Sequence, residues 1–72
     1  MTQKEMILKW MQTFGEITPI DALRDIGCLR LAARISDLRR DGYAIKSRIV
    51  SDKGRLGNTV HYAAYRLEEV EA

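Results

Sequence analysis

The sequence predicts a small α+β domain, mainly α, in which three helices are followed by a two-stranded β-hairpin. Three observations predict it. Apolar residues recur at helical spacing in three stretches up to about residue 40. After Gly42 the period changes to two. The joints carry strong start and stop signals: Gly15, Thr18-Pro19, Gly27 and Gly42.

The first helix is expected over residues 3–14. Thr2 and Glu5 have the spacing of a capping box, in which the hydroxyl accepts from the Glu5 N–H and the carboxylate reaches back to the Thr2 N–H. Met6, Ile7, Trp10, Met11 and Phe14 form one broad apolar face, with Leu8 off it as a surface leucine or a dimer contact. Glu16 and Ile17 form a short extended link, one or two residues of strand at most.

Thr18 caps a second helix over 19–26, Pro19 fits its first position, and Asp21 complements its positive end. Ile20, Leu23 and Ile26 are expected to face inward. The third helix is expected over 29–41, with Leu31, Ile35 and Leu38 as its core stripe. At 100° per residue, the opposite face carries Leu29, Arg30, Ala33, Ser36, Asp37 and Arg40, with Arg34 and Arg39 on the flanks.

Strands are expected over 43–50 and 60–67. Tyr43, Ile45, Ser47 and Ile49 share one face of the first strand; Ala44, Lys46, Arg48 and Val50 share the other. Residues 51–59, with two glycines, Asp52 and Asn58, read as a flexible turn. Residues 68–72 form a short acidic tail, and the whole chain, 1–72, reads as a single domain. Trp10, Phe14, Tyr43, Tyr62 and Tyr65 are expected to be core aromatics, with Tyr62 and Tyr65 on opposite strand faces.

Composition narrows the function classes. The 72-residue chain is 46% hydrophobic and 31% charged, ordinary for a folded domain but small enough that its core is thin. Its N-terminal MTQKEMILKW places polar residues where a signal peptide has an apolar run, so the expected location is the cytoplasm. One cysteine, Cys28, and one histidine, His61, supply neither a disulfide nor a metal site, and no cofactor motif is present. Cys28 falls at the expected start of the third helix, where a small buried residue packing the turn is a stronger assignment than a reactive thiol. His61 has no nucleophile nearby in sequence, so no enzyme is expected.

Charge points elsewhere. The net charge of +2 hides an asymmetry: ten basic and four acidic residues between Arg24 and Arg66 give that segment +6. A clustered positive segment is the footprint of a polyanion binder. Two short helices joined at Gly27, the second rich in arginine and small residues, form a helix-turn-helix whose second helix suits a major groove. Arg30, near the start of that helix, suits a guanine edge, Arg34 and Arg40 suit phosphates, and Ala33 suits a thymine methyl. Asp37 either orients Arg34 or Arg40 or repels phosphate. The plain alternative for each arginine is an exposed charge on a helical face. In the hairpin, Lys53 and Arg55 at the tip suit the backbone or minor groove, with Lys46 and Arg48 extending the stripe. Here the plain alternative is a solubilising turn that protects an edge strand. The expected partner is therefore double-stranded DNA, and the expected fold a winged helix-turn-helix. A protein-interaction module, as a homodimer or with another protein, uses the same surface and is the alternative.

The segment Thr18 to Ile45, TPIDAL followed by G-C-x-R-L-A-A-R-I-x-D-L-R-x-x-G-Y-x-I, resembles a family of short winged helix-turn-helix domains found in bacteriophage and prophage genomes. The terminal Tyr65-Arg66-Leu67 matches the same pattern, whereas the SDKGRLGNT wing is longer than the family's short type. The resemblance implies a winged-helix fold and DNA binding by the third helix and the wing, and it names no operator or pathway. With the charge and the helical motif, the expected role is in phage transcription control or recombination and excision, within a bacterial host cell or its nucleoid.

Overall fold

Nine buried apolar side chains define the core, and they come from the first and third helices and from the segments between and after them. Ile7 and Met11 come from the first helix, Leu31, Ile35 and Leu38 from the third, and Ile17, Ala22, Cys28 and Ile45 from the segments between and after. The computed structural model describes residues 2–68. The order is α1 (Gln3–Phe14), β1 (Glu16–Ile17), α2 (Pro19–Asp21) running directly into a π-helical segment (Ala22–Ile26), α3 (Leu31–Arg40), β2 (Ile45–Lys53) and β3 (Thr59–Leu67). Three helices followed by antiparallel strands that form a wing make this a winged helix-turn-helix α+β fold.

Local chemistry explains most boundaries. Thr2 caps α1 by accepting from the Glu5 N–H at 3.2 Å. The expected return bond is absent, because Glu5 accepts from the Thr2 hydroxyl instead of the Thr2 N–H. A complete capping box stands at α2, where Asp21 N–H donates to the Thr18 hydroxyl and Thr18 N–H to the Asp21 carboxylate. At the end of α3, Tyr43 N–H donates to Leu38 C=O and Gly42 N–H to Arg39 C=O. This Schellman closure needs a left-handed residue, and Gly42 has φ 106°.

Several expected placements are corrected. Ile20 and Leu23 are 56% and 53% exposed rather than inward. The buried positions are instead Ala22 and, in part, Ile26, four residues apart on one side of the segment, which leaves Ile20 and Leu23 on the outward sides. Phe14 is 67% exposed and rests on Trp10, ring centroids 4.5 Å apart. Trp10 itself is half-buried, with its indole N–H donating to Glu16 C=O at 3.0 Å. Leu8, off the main stripe, packs against the core. Tyr43 follows the helix stop and precedes β2, so it lies outside the core. Helix α3 begins two residues later than the spacing suggests, which leaves Arg30 as its cap residue without a side-chain cap bond.

The sheet order is β1-β3-β2, all antiparallel. Its β1 strand pairs Glu16 with Arg66 and Ile17 with Tyr65. Strands β2 and β3 pair without a break from Ile45↔Leu67 to Lys53↔Thr59, so the ladder is longer than expected and the turn is confined to residues 54–58. Ile17, Ile45, Tyr65 and Leu67 share the face that packs on the helices. From Ser47 onward β2 is exposed apart from half-buried Val50, so the outer part of the hairpin stands clear of the core. Of the acidic tail 68–72, only Glu68 lies within the described residues; its N–H continues the ladder to Ala44 C=O at 2.8 Å.

Truncation of Ile35, 1% exposed, to Ala is expected to cost about 2–5 kcal/mol, enough to unfold much of a domain this small. Leu29→Ala, at an 82% exposed position, is expected to change stability by no more than about 0.5 kcal/mol. Urea titrations of the two variants followed by far-UV circular dichroism check both values.

Candidate nucleic-acid interface

Burial of Leu31, Ile35 and Leu38 fixes how α3 is turned about its axis. The residues left outward are not evenly open. Leu29, Arg30, Ala32, Ser36, Arg39 and Arg40 are exposed, whereas Ala33, Arg34 and Asp37 are half-buried. The difference lies in α1, whose first turn runs beside the second group. Lys4 Nζ is 2.8 Å from Asp41 Oδ2, which holds the ammonium above its ordinary pKa, chiefly through that hydrogen bond. Gln3 shares a shallow depression with Gly27, Leu29, Arg30 and Arg34. The open side of the helix is therefore Ala32, Ser36 and Arg40, continued by Leu29 in the turn ahead of it, and the middle of this strip is occupied by small side chains. A helix surface that is small at its centre and cationic at its end can approach the floor of a groove closely.

Asp37 lies between two arginines. Its Oδ2 is 3.4 Å from Arg34 Nη2 and its Oδ1 is 4.0 Å from Arg40 Nη1. Arg34 Nε is buried and makes no hydrogen bond among the described residues. Arg39 has a different task. Its Nε and Nη2 donate to the same backbone oxygen, Ile45 C=O, at 3.1 and 2.9 Å. This clamp ties the last turn of α3 to the first residue of β2, so the wing is positioned relative to the open strip.

At the far end of the hairpin, Lys53 closes β2, and Arg55 and Leu56 occupy the corners of the turn. The turn is closed by Gly57 N–H to Gly54 C=O at 3.0 Å and Gly54 N–H to Asn58 C=O at 2.8 Å. Gly57 has φ 81°, the left-handed position that such three-residue loops require.

Lys46 and Arg48 lie elsewhere. The register puts them with Arg66 and Ala64 on the sheet face turned away from the helices. Arg48 makes a bidentate pair with Glu16, Nε–Oε2 2.7 Å and Nη2–Oε1 2.8 Å, and Lys46 is 3.2 Å from Glu68. Arg48, Lys46, Arg66 and Glu16 surround Ala64, leaving it 2% exposed on the outer face. The hydrogen bonds from Arg48 hold the Glu16 carboxyl below the ordinary glutamate range, and Glu16 in turn raises the Arg48 guanidinium. The structure thus gathers Arg30, Ala33, Arg34, Asp37 and Arg40 on one helix and Lys53 and Arg55 on the wing tip, and it separates Lys46 and Arg48 from both. Ala32 and Leu56 were not distinguished by sequence spacing. Finding Ala32 requires knowing which flank of α3 the first helix covers.

Cys28 is buried in the turn beside the core. His61 Nδ1 and Ser51 Oγ lie 2.9 Å apart on an exposed strand pair. Among the described residues, no helix is long and apolar enough to cross a membrane, and no cluster of potential metal ligands is present.

A buried three-helix layer, an open helix strip and a clamped hairpin define the winged helix-turn-helix class. A family model described as a winged helix-turn-helix domain matches residues 2–70, and the chain belongs to that family. Neither a curated protein nor a solved structure matches it.

Because the folded-state pKa of Glu16 is depressed, its pairing with Arg48 stabilises the fold fully above the unfolded glutamate pKa and is lost as pH falls through the folded value. The expected outcome is that acidification through that window lowers the urea midpoint of the native protein more than that of Glu16→Gln. Equal slopes for the two proteins contradict the assignment.

Proposed function

We propose that the chain binds double-stranded DNA, with α3 in the major groove and the wing on the adjacent backbone or minor groove. The observation that carries this reading is the open strip Leu29, Ala32, Ser36 and Arg40, held in fixed relation to a basic wing by the Arg39 clamp. Small residues allow close approach, and the Ser36 hydroxyl is free to donate to or accept from a base edge. Arg30 at the head of the helix takes a guanine edge. Arg40 takes a phosphate, as do Lys53 and Arg55 on the wing. Asp37 orients Arg34 and Arg40, and Ala33 lies at the margin of the contact. Lys46 and Arg48, paired with acids on the far sheet face, contribute to long-range attraction rather than direct contact.

The biological setting we propose is a phage or prophage regulator acting at the nucleoid of a bacterial cell, in transcription control or in recombination and excision. It rests on the resemblance of Thr18 to Ile45 and of Tyr65-Arg66-Leu67 to such domains. A single domain of this size covers few base pairs, so a homodimer or cooperative loading adds specificity. A second reading, a protein-contact module, is favoured by the exposure of Phe14, Ile20 and Leu23. It predicts that changing these residues alters self-association or partner binding and leaves DNA affinity intact.

Fluorescence anisotropy with duplex DNA across a salt series tests the DNA reading. Affinity is expected to fall with added salt, by about 0.9 in log–log slope per phosphate contact. Arg40→Ala, Lys53→Ala and Arg55→Ala are each expected to reduce the slope by about one contact, and Lys46→Ala and Arg48→Ala by much less. No binding at low salt overturns the reading, and so does binding that Arg40, Lys53 and Arg55 do not affect.

A further inference from the structure

Leu56 has no role in holding the fold. It is 96% exposed, the most open large apolar side chain among the described residues. The turn that carries it is complete without it. Two backbone hydrogen bonds close the loop, and the Asn58 side chain packs over Gly54 so closely that a Cβ there would lie 2.7 Å from Asn58 Oδ1. Arg55 and Leu56 stand at the two corners of this turn, so Leu56 sits at the apex of the hairpin, next in sequence to a cationic residue. Lys53 adds a second cation at the foot of the turn. The nearest acid in sequence, Asp52, turns one carboxylate oxygen to the Lys53 N–H at 2.8 Å.

We propose that Leu56 is a minor-groove wedge, which enters between two base pairs and kinks the DNA. The proposal rests on the DNA-binding reading above and extends it from contact to deformation. A wing that only followed phosphates needs cations and glycines at its tip. An apolar side chain at the apex is suited to partial unstacking of a base step, with flanking cations on the phosphates to either side. The minor groove, about 6 Å wide, admits one projecting side chain and excludes the body of a two-stranded ribbon. The tip is also too small for a protein hot spot, since Gly54, Gly57 and Asn58 offer no apolar ring around the leucine.

Reach agrees with this placement. The hairpin is anchored at Ile45, and its open part runs from Ser47 to Lys53. At about 3.3 Å per residue this arm is roughly 20 Å long, comparable with the half-turn of B-DNA, roughly 17 Å, that separates a major groove from the next minor groove. The favoured target is a pyrimidine–purine step, where unstacking costs least.

The test uses the full chain and a duplex with end labels for energy transfer and a fluorescent base analogue at a central pyrimidine–purine step. Saturating native protein is expected to raise energy transfer by shortening the end-to-end distance and to raise the analogue's emission by unstacking it. Leu56→Ala is expected to abolish the analogue's response and most of the bend while keeping the native salt dependence, because no cation is removed. Leu56→Phe is expected to restore both signals. The wedge is overturned if the native protein binds straight DNA with a silent analogue, or if Leu56→Ala bends and unstacks it as the native protein does. Failure of the native protein to bind DNA at all overturns the wedge together with the DNA reading, whereas binding without bending overturns the wedge alone.

Discussion

The rotational setting of α3 governs the rest of this molecule. Three side chains, Leu31, Ile35 and Leu38, are buried against α1 and the sheet. A helix advances 100° per residue, so burying these three determines where every other residue on α3 points. One flank receives Arg34 and Asp37 and is partly covered by the first turn of α1, through Lys4 and Gln3. The other flank directs Arg39 to the Ile45 carbonyl. What remains is a narrow strip that begins at Leu29, is small at Ala32 and Ser36, and ends in Arg40. Turning the helix by one residue's worth of rotation would bury a charge and expose a leucine, a change that a thin core cannot absorb.

The wing depends on that setting twice. Arg39 ties β2 to α3, and the inner end of the hairpin contributes Ile45, Tyr65 and Leu67 to the core. The two-residue strand β1 adds a third attachment, because it pairs with β3 and supplies Glu16 for the Arg48 bridge. An isolated hairpin is marginally stable in water, and these three ties hold this one at its base while its outer half stays free. Rigidity at the base and exposure at the tip together suit an arm that acts at a distance from the domain.

Much of this was legible in the sequence, and the reasons are local. Thr2, Thr18-Pro19 and Gly42 act on neighbouring backbone groups, so their effects are readable from a few residues. The α3 stripe is readable because a single regular period runs through it. The second helix is harder to read, because its inward side is marked by the small Ala22 and, in part, Ile26, while the larger Ile20 and Leu23 face outward. The length of the ladder is not legible, because glycines in 51–59 signal a turn without saying how tightly it closes. The pairs that separate Arg48 and Lys46 from the basic strip were also out of reach. Glu16 and Arg48 are far apart in sequence, and only the β1–β3–β2 order brings them together. Nor does the sequence say which flank of α3 the first helix covers, and that decides between Ala33 and Ala32.

The central claim is that one surface, the open α3 strip together with the wing tip, meets DNA. Backbone amide chemical-shift mapping of the isotopically labelled chain, titrated with a duplex, tests it most directly. The account predicts the largest changes at Leu29, Ala32, Ser36 and Arg40 and at residues 53–58 of the wing, with Lys46, Arg48 and Phe14 nearly unmoved. Changes centred on the outer sheet face or around Trp10 and Phe14, with the strip unmoved, would contradict it.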